Sequence, residues 1–142
     1  MSGMLGAFLS TMGGPLITLS ASYTATDSTV SPTNANCRFA LEADGDIIRT
    51  LITGGATDLG DWNVPKAAAG GNYECKSTLT SGSLTSDPSA GLWVALSADR
   101  TWSRAQTTNG SSQAIFTLEI RLVGTSTTLA STTVTLNADR SP

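Results

Sequence analysis

Histidine is absent from this chain of 142 residues. Without it there is no Ser-His-Asp or Cys-His nucleophile system, no histidine metal ligand and no imidazole pH switch. Charge is scarce too: 8 Lys and Arg stand against 11 Asp and Glu, so 13% of the chain is charged. That is about half the roughly 25% of an ordinary soluble domain. A net charge of −3 with few cations excludes the clustered Lys and Arg that nucleic-acid phosphates require. Cysteine is limited to Cys37 and Cys75, too few for a zinc site, which usually takes four Cys or His ligands. One disulfide or two buried thiols both remain open, since each cysteine falls on the apolar side of its strand. No Gly-rich phosphate loop and no nucleophile elbow occur, so the expectation is a non-enzymatic chain without cofactor or metal.

The first 26 residues carry no charge; Asp27 is the first charged side chain and Arg38 the first cation. A secretory signal needs a basic start, which is missing. The apolar stretch Met4 to Leu19 is interrupted by Gly6, Ser10, Thr11, Gly13, Gly14 and Pro15. It is shorter than the roughly 20 residues that cross a bilayer, so no membrane span is expected.

What the chain has in quantity is hydroxyl: 40 of its residues are Ser or Thr. They alternate with apolar residues at the period of a half-buried strand. Ile17, Leu19, Ala21 and Tyr23 begin the series, and a polar loop around Pro32 follows. Cys37, Phe39 and Leu41 then lead into Asp44-Gly45 and IIRTLIT, a hairpin signal over residues 36–53. Residues 54–71 read as a long loop between glycine pairs. Tyr73, Cys75 and Leu79 share a face, and LWVALS forms a further strand. Ala114, Phe116, Leu118, Ile120 and Leu122 mark the longest strand, and Ala130, Val134 and Leu136 the last. About seven or eight short strands and almost no helical period predict an all-β, antiparallel sandwich or barrel over residues 16–142. Residues 1–15 stand apart as an uncharged, apolar N-terminal arm ending in Gly-Gly-Pro.

Three features invite a functional reading. Glu42, Asp44, Asp46, Asp58 and Asp61 lie in turns, without the spacing of a calcium loop, and are expected to be turn formers. Trp93 and Trp102 are expected to cap the core, whereas Trp62, in the glycine-bounded loop, is a candidate surface contact for a sugar or a partner. The arm residues Met4, Leu5, Phe8, Met12 and Leu16 would leave an apolar patch on a free monomer, and are candidate assembly contacts. Asn109-Gly110-Ser111 matches a glycosylation sequon but is expected to be a turn.

The ordered set NCRFALEADGDI, GDWNVP, NYECKSTLTSG, GLWVALSADRTWSRA and FTLEIRLVGTSTTLASTTVTLNA resembles a group of small virion proteins of tailed bacteriophages. It covers residues 36–138, and departs from their pattern at Cys75, where a basic residue is expected and Lys76 follows instead. The resemblance implies an Ig-like, Greek-key β-domain in a structural component of the virion, assembled in the host cytoplasm. Placement in the tail tip, fibre or an adaptor is the leading expectation, with capsid decoration or a head fibre as the alternative. Its partners would be other virion proteins and further copies of itself, since such subunits are usually symmetric oligomers. A reading from another class is a carbohydrate-binding adhesin that meets a host-surface glycan through Trp62.

Overall fold

The structure, a computed structural model, describes the backbone of residues 20–44, 47–54, 57–58, 63–65, 73–96 and 100–142. Side chains are described for residues 20–41, 73–96 and 100–142. The arm residues Met4, Leu5, Phe8, Met12 and Leu16, together with Trp62, lie outside the described residues. No described residue is helical, and no helix there is long and apolar enough to cross a membrane.

Ten strands form: β1 (Ser22–Val30), β2 (Ala35–Asp44), β3 (Ile47–Gly54), β4 (Thr57–Asp58), β5 (Asn63–Pro65), β6 (Tyr73–Gly82), β7 (Val94–Ala95), β8 (Arg100–Gln106), β9 (Gly110–Leu122) and β10 (Ala130–Ser141). The first sheet runs β1-β10-β9-β6-β7 and the second β4-β3-β2-β8, with β5 also paired to β3. Residues of both sheets share one core, so the arrangement is sandwich-like. Thr and Val suit these strands because branched side chains pack on a pleated surface.

The period-two reading holds where alternation is strict. Ala114, Phe116, Leu118 and Ile120 of β9 are fully buried, as are Phe39 and Leu41 of β2 and Leu136 of β10. The hairpin runs as expected, Asp44 opposite Ile47 and Cys37 opposite Gly54. At the centre, Phe39 meets Trp102 at 6.0 Å between ring centroids and Phe116 at 6.1 Å. Trp102 stacks on Phe116 at 5.8 Å. Each such ring contributes roughly 1.5–3 kcal/mol by burial alone.

Three expectations are corrected. The fold is not wholly antiparallel: β1 pairs parallel with β10, Ser22 opposite Thr133 through Val30 opposite Ser141. Alternation fixes a strand's two faces but carries no information on its neighbour's direction. β1 also runs on through Val30, leaving only residues 31–34 as the turn, because β10 offers partners along that whole length. The expected loop at 54–71 contains β4 and β5, both paired to β3. Leu79 keeps the register and face of Tyr73 and Cys75, opposite Phe116, but is exposed, and Ser77 on the same face is buried. The β6–β9 register shifts only beyond it, between Leu79 and Ser81.

Polar side chains fasten the turns at one pole. The Asp27 carboxylate, itself buried, accepts from the Asn36 N–H at 2.7 Å. Arg140 donates to the Ser31 hydroxyl at 3.0 Å, to the Asn34 side-chain oxygen at 3.2 Å and to the Thr107 carbonyl. One guanidinium therefore ties the β1–β2 and β8–β9 turns to the end of β10.

Candidate interaction surface

The outer face of the first sheet carries two contrasting polar regions. Towards β6 and β7 it is charged. Glu74 stands opposite Arg121 and Lys76 opposite Glu119 across the β6–β9 ladder. The first pair closes to 2.6 Å and the second to 3.7 Å. Trp93 lies over both cations, 3.8 Å from the Arg121 guanidinium carbon and 5.1 Å from the Lys76 ammonium nitrogen. Its quadrupole attracts these cations. Trp93 is thus half-buried against the charged outer ladder and is not a core cap, whereas Trp102 is fully buried as expected. The run Leu92-Trp93-Val94 is apolar throughout, so it has no alternation from which to choose a face.

Towards β1 the same face is uncharged except for Asp139. Gln113, Asn137 and Thr26 are in register on β9, β10 and β1. The Gln113 amide donates to the Asn137 side-chain oxygen at 2.8 Å, and the Asn137 amide donates to the Thr26 hydroxyl at 3.3 Å. One step along, the Ser28 hydroxyl donates to the Asp139 carboxylate at 3.3 Å. Thr26, Gln113, Asn137 and Asp139, with Ser111 and Ser112, line an open, shallow depression of about 390 Å³. Hydroxyls, amides and a carboxylate can hydrogen-bond a polyhydroxylated ligand, but among the described residues no ring lines the depression on which a sugar would stack.

A second polar cluster has a structural role. Asp87 accepts from the Ser77 hydroxyl at 2.7 Å and from the backbone of Ser89 and Ala90 at 3.2 and 2.9 Å. The Ser89 hydroxyl in turn accepts from the Ser77 N–H at 2.7 Å. Ser77 and Ser89 are buried, and the network pins the 83–92 loop to β6. Without a histidine in the chain, no base of the usual kind activates either hydroxyl.

The candidate disulfide is not formed: Cys37 and Cys75 are buried thiols on opposite sheets. Their positions explain why. The backbone of Asn137, which faces Gln113 of β9, hydrogen-bonds Cys37, whereas Cys75 faces Ile120 of the same strand. At about 3.3 Å per residue that is roughly 20 Å along β9, against Cα separations of roughly 4.4–6.8 Å in a disulfide. Burial pushes the Cys75 thiol up to about 12 and the Cys37 thiol up to about 11, the nearby Asp27 charge adding to the latter. Burial also raises the Tyr73 phenol, whose hydroxyl has no hydrogen-bond partner in the core.

No family model, curated protein or solved structure matches the chain. The surface therefore rests on its own geometry. Trp62 and the acidic side chains at Glu42, Asp44, Asp46, Asp58 and Asp61 fall outside the described side chains. Among the described residues, no group of three or more Cys, Asp and Glu side chains converges as a metal site. The described Asn109-Gly110 step is the turn into β9, with Gly110 at φ +136°.

Proposed function

We propose that this chain is a non-enzymatic structural protein of a tailed-bacteriophage virion, tail-associated in the tip, a fibre or an adaptor. One observation supports the reading above others: the residues carrying the resemblance include central parts of the core. Cys37 and Phe39 on β2, Tyr73 and Cys75 on β6, Trp102 on β8 and Ile120 on β9 are all buried. The ordered set therefore runs through the core of the sandwich rather than over its surface, which supports an Ig-like reading of the domain. In this reading the N-terminal arm, residues 1–15, attaches the subunit to its neighbours in the particle, and the hydroxyl-covered sandwich is the displayed body. Thr and Ser surfaces pack densely without the repulsion that like charges bring.

The test is the protein's place in purified particles. Antibody-labelled electron microscopy, with band stoichiometry against the major capsid protein, is expected to put a few copies on the tail. Copy numbers comparable with the capsid protein would move it to capsid decoration, and its absence from particles would overturn the proposal. Deleting residues 2–14 is expected to abolish incorporation while leaving the sandwich folded.

The shallow depression on the β1-β10-β9 face favours one second reading, a host-surface glycan adhesin. Replacing Gln113, Asn137 and Asp139 by Ala would then abolish glycan-array or cell binding, and Trp62→Ala would weaken it. Unchanged binding in both variants would remove that reading.

A further inference from the structure

The sheet edges are treated very differently. At β8 the edge is covered: Thr85 and Ser86 both donate to the Ser103 carbonyl, at 2.7 and 3.2 Å, and Ser103 donates back to Ser86 at 3.1 Å. The Thr85 hydroxyl also accepts from the Ala105 N–H at 2.9 Å. At the other side of that sheet β4 and β5 flank β3. The β7 edge of the first sheet is two residues long. Only β1 presents a long edge, nine residues, with no strand beyond it among the described residues.

Two end bonds fix which backbone groups that edge exposes. The Thr133 N–H donates to the Ala21 carbonyl at 3.2 Å, and the Ser31 N–H donates to the Ser141 carbonyl at 2.8 Å. In a parallel ladder a residue directs its N–H and C=O to the same side, and its neighbours direct theirs to the other. Odd positions from Ala21 to Ser31 therefore bond β10. The N–H and C=O of Ser22, Thr24, Thr26 and Ser28 point away from it, and no described backbone group pairs with them. Among the described residues β1 has no Lys, no Pro and no bulge to guard its edge. Its one charge, Asp27, is turned inward and held by the Asn36 N–H.

We propose that this edge is a self-association surface, on which two copies of the chain join β1 to β1 antiparallel and merge their first sheets into one. The strand is complementary to itself. About a twofold axis at Ala25, Ser22 meets Ser28 of the second copy, and Thr24 meets its Thr26. These are hydrogen-bonded pairs, each exchanging two N–H···O bonds, so every outward N–H and C=O from Ser22 to Ser28 is satisfied at once. On the outer face, hydroxyl meets hydroxyl. On the inner face Asp27 meets Tyr23 and not a second Asp27, so no like charges oppose. An isologous contact of this kind closes at two copies. Self-complementarity together with an uncharged outer face selects a second copy over a foreign strand as occupant. The inference does not rest on the virion reading, and the arm takes no part in it.

Light scattering on the full chain, with native-state hydrogen exchange read residue by residue, tests this. The chain is expected to be a dimer that dissociates on dilution. In the dimer, the amides of Thr24 and Thr26 exchange as slowly as those of Tyr23 and Ala25, and become fast on dilution while the odd positions stay slow. Thr26→Pro removes one outward N–H without touching the β10 ladder, and is expected to weaken the dimer at least about tenfold. Deleting residues 2–14 is expected to leave the dimer intact. A chain that is monomeric at every concentration overturns the proposal, as does a dimer whose Thr24 and Thr26 amides exchange fast. Loss of the dimer on deleting residues 2–14, with Thr26→Pro still dimeric, assigns association to the arm and equally overturns it. The exchange pattern of the unmodified chain decides the matter even where Thr26→Pro fails to fold.

Discussion

Cys37 and Cys75 show how a residue's surroundings set both its chemistry and its effect on stability. Each thiol is protonated in the fold well above the pH at which an unfolded thiol ionises, because burial disfavours the thiolate. The folded state therefore binds more protons than the unfolded state between about pH 9 and 11, and stability falls as pH rises through that window. Below it the contribution is fully present. Denaturation followed from pH 7 to 11 is expected to show a stability loss that steepens above pH 9, by up to about 1.4 kcal/mol per pH unit for each thiol. A Cys37→Ala, Cys75→Ala variant should show a shallower loss. Both thiols should also resist a thiol reagent until the chain unfolds, and then react in full without added reductant. Trp93 supplies a second residue-scale test. The Glu74–Arg121 pair is only partly exposed, so a double-mutant cycle should return roughly 0.2–1 kcal/mol. Trp93→Ala should cost roughly another 0.5–1 kcal/mol through the lost cation–π contacts, and far less than Trp102→Ala, for which roughly 3–5 kcal/mol is expected.

Among the described glycines, Gly82 at the end of β6 is the least tolerant of a side chain. Gly82 has φ +73°, and a Cβ there would stand 1.9 Å from the Gln113 carbonyl oxygen. Gly91, in the loop pinned by Asp87, has φ +82° but open space around it. Gly82→Ala combines left-handed strain with a collision against a rigid backbone, whereas Gly91→Ala meets strain alone, about 1–2 kcal/mol. Thermal melts should show the larger fall in Tm for Gly82→Ala; equal shifts would contradict this. The elements also show what a sequence can reveal. Alternation along residues 113–122 is local, so the buried face of β9 is legible from the order of residues. The register shift between Leu79 and Ser81 belongs to the pairing of β6 with β9, and nothing in LTSG announces it. The polar depression is less legible still. Gln113 and Asn137 are 24 residues apart, and Asn137 and Thr26 are 111 apart. Only strand pairing brings them together, and three scattered polar residues give no spacing signal beforehand.

For the whole molecule, the first and last described strands lie side by side. β1 contributes Ala25 to the core and its backbone to β10, so it is part of the domain rather than an appendage. Removing residues 1–19 should leave the melting temperature close to that of the full chain. Removing residues 1–30 should abolish cooperative unfolding, because it strips the cover from Val134, Leu136 and Ala138 and leaves the inner edge of β10 unpaired. Equal stability of the two truncations would show that β1 is dispensable. The parallel direction of this pairing has a mechanical consequence. Because β1 and β10 run the same way, the chain enters the sheet at one pole, near Ser22, and leaves it at the other, near Ser141. Tension applied between these ends slides β1 along β10 and does not peel the strands apart. Their ladder is then loaded in shear, with its hydrogen bonds sharing the force at once, and must fail together. Pulled end to end, the domain should behave as a stiff link that yields in a single high-force event.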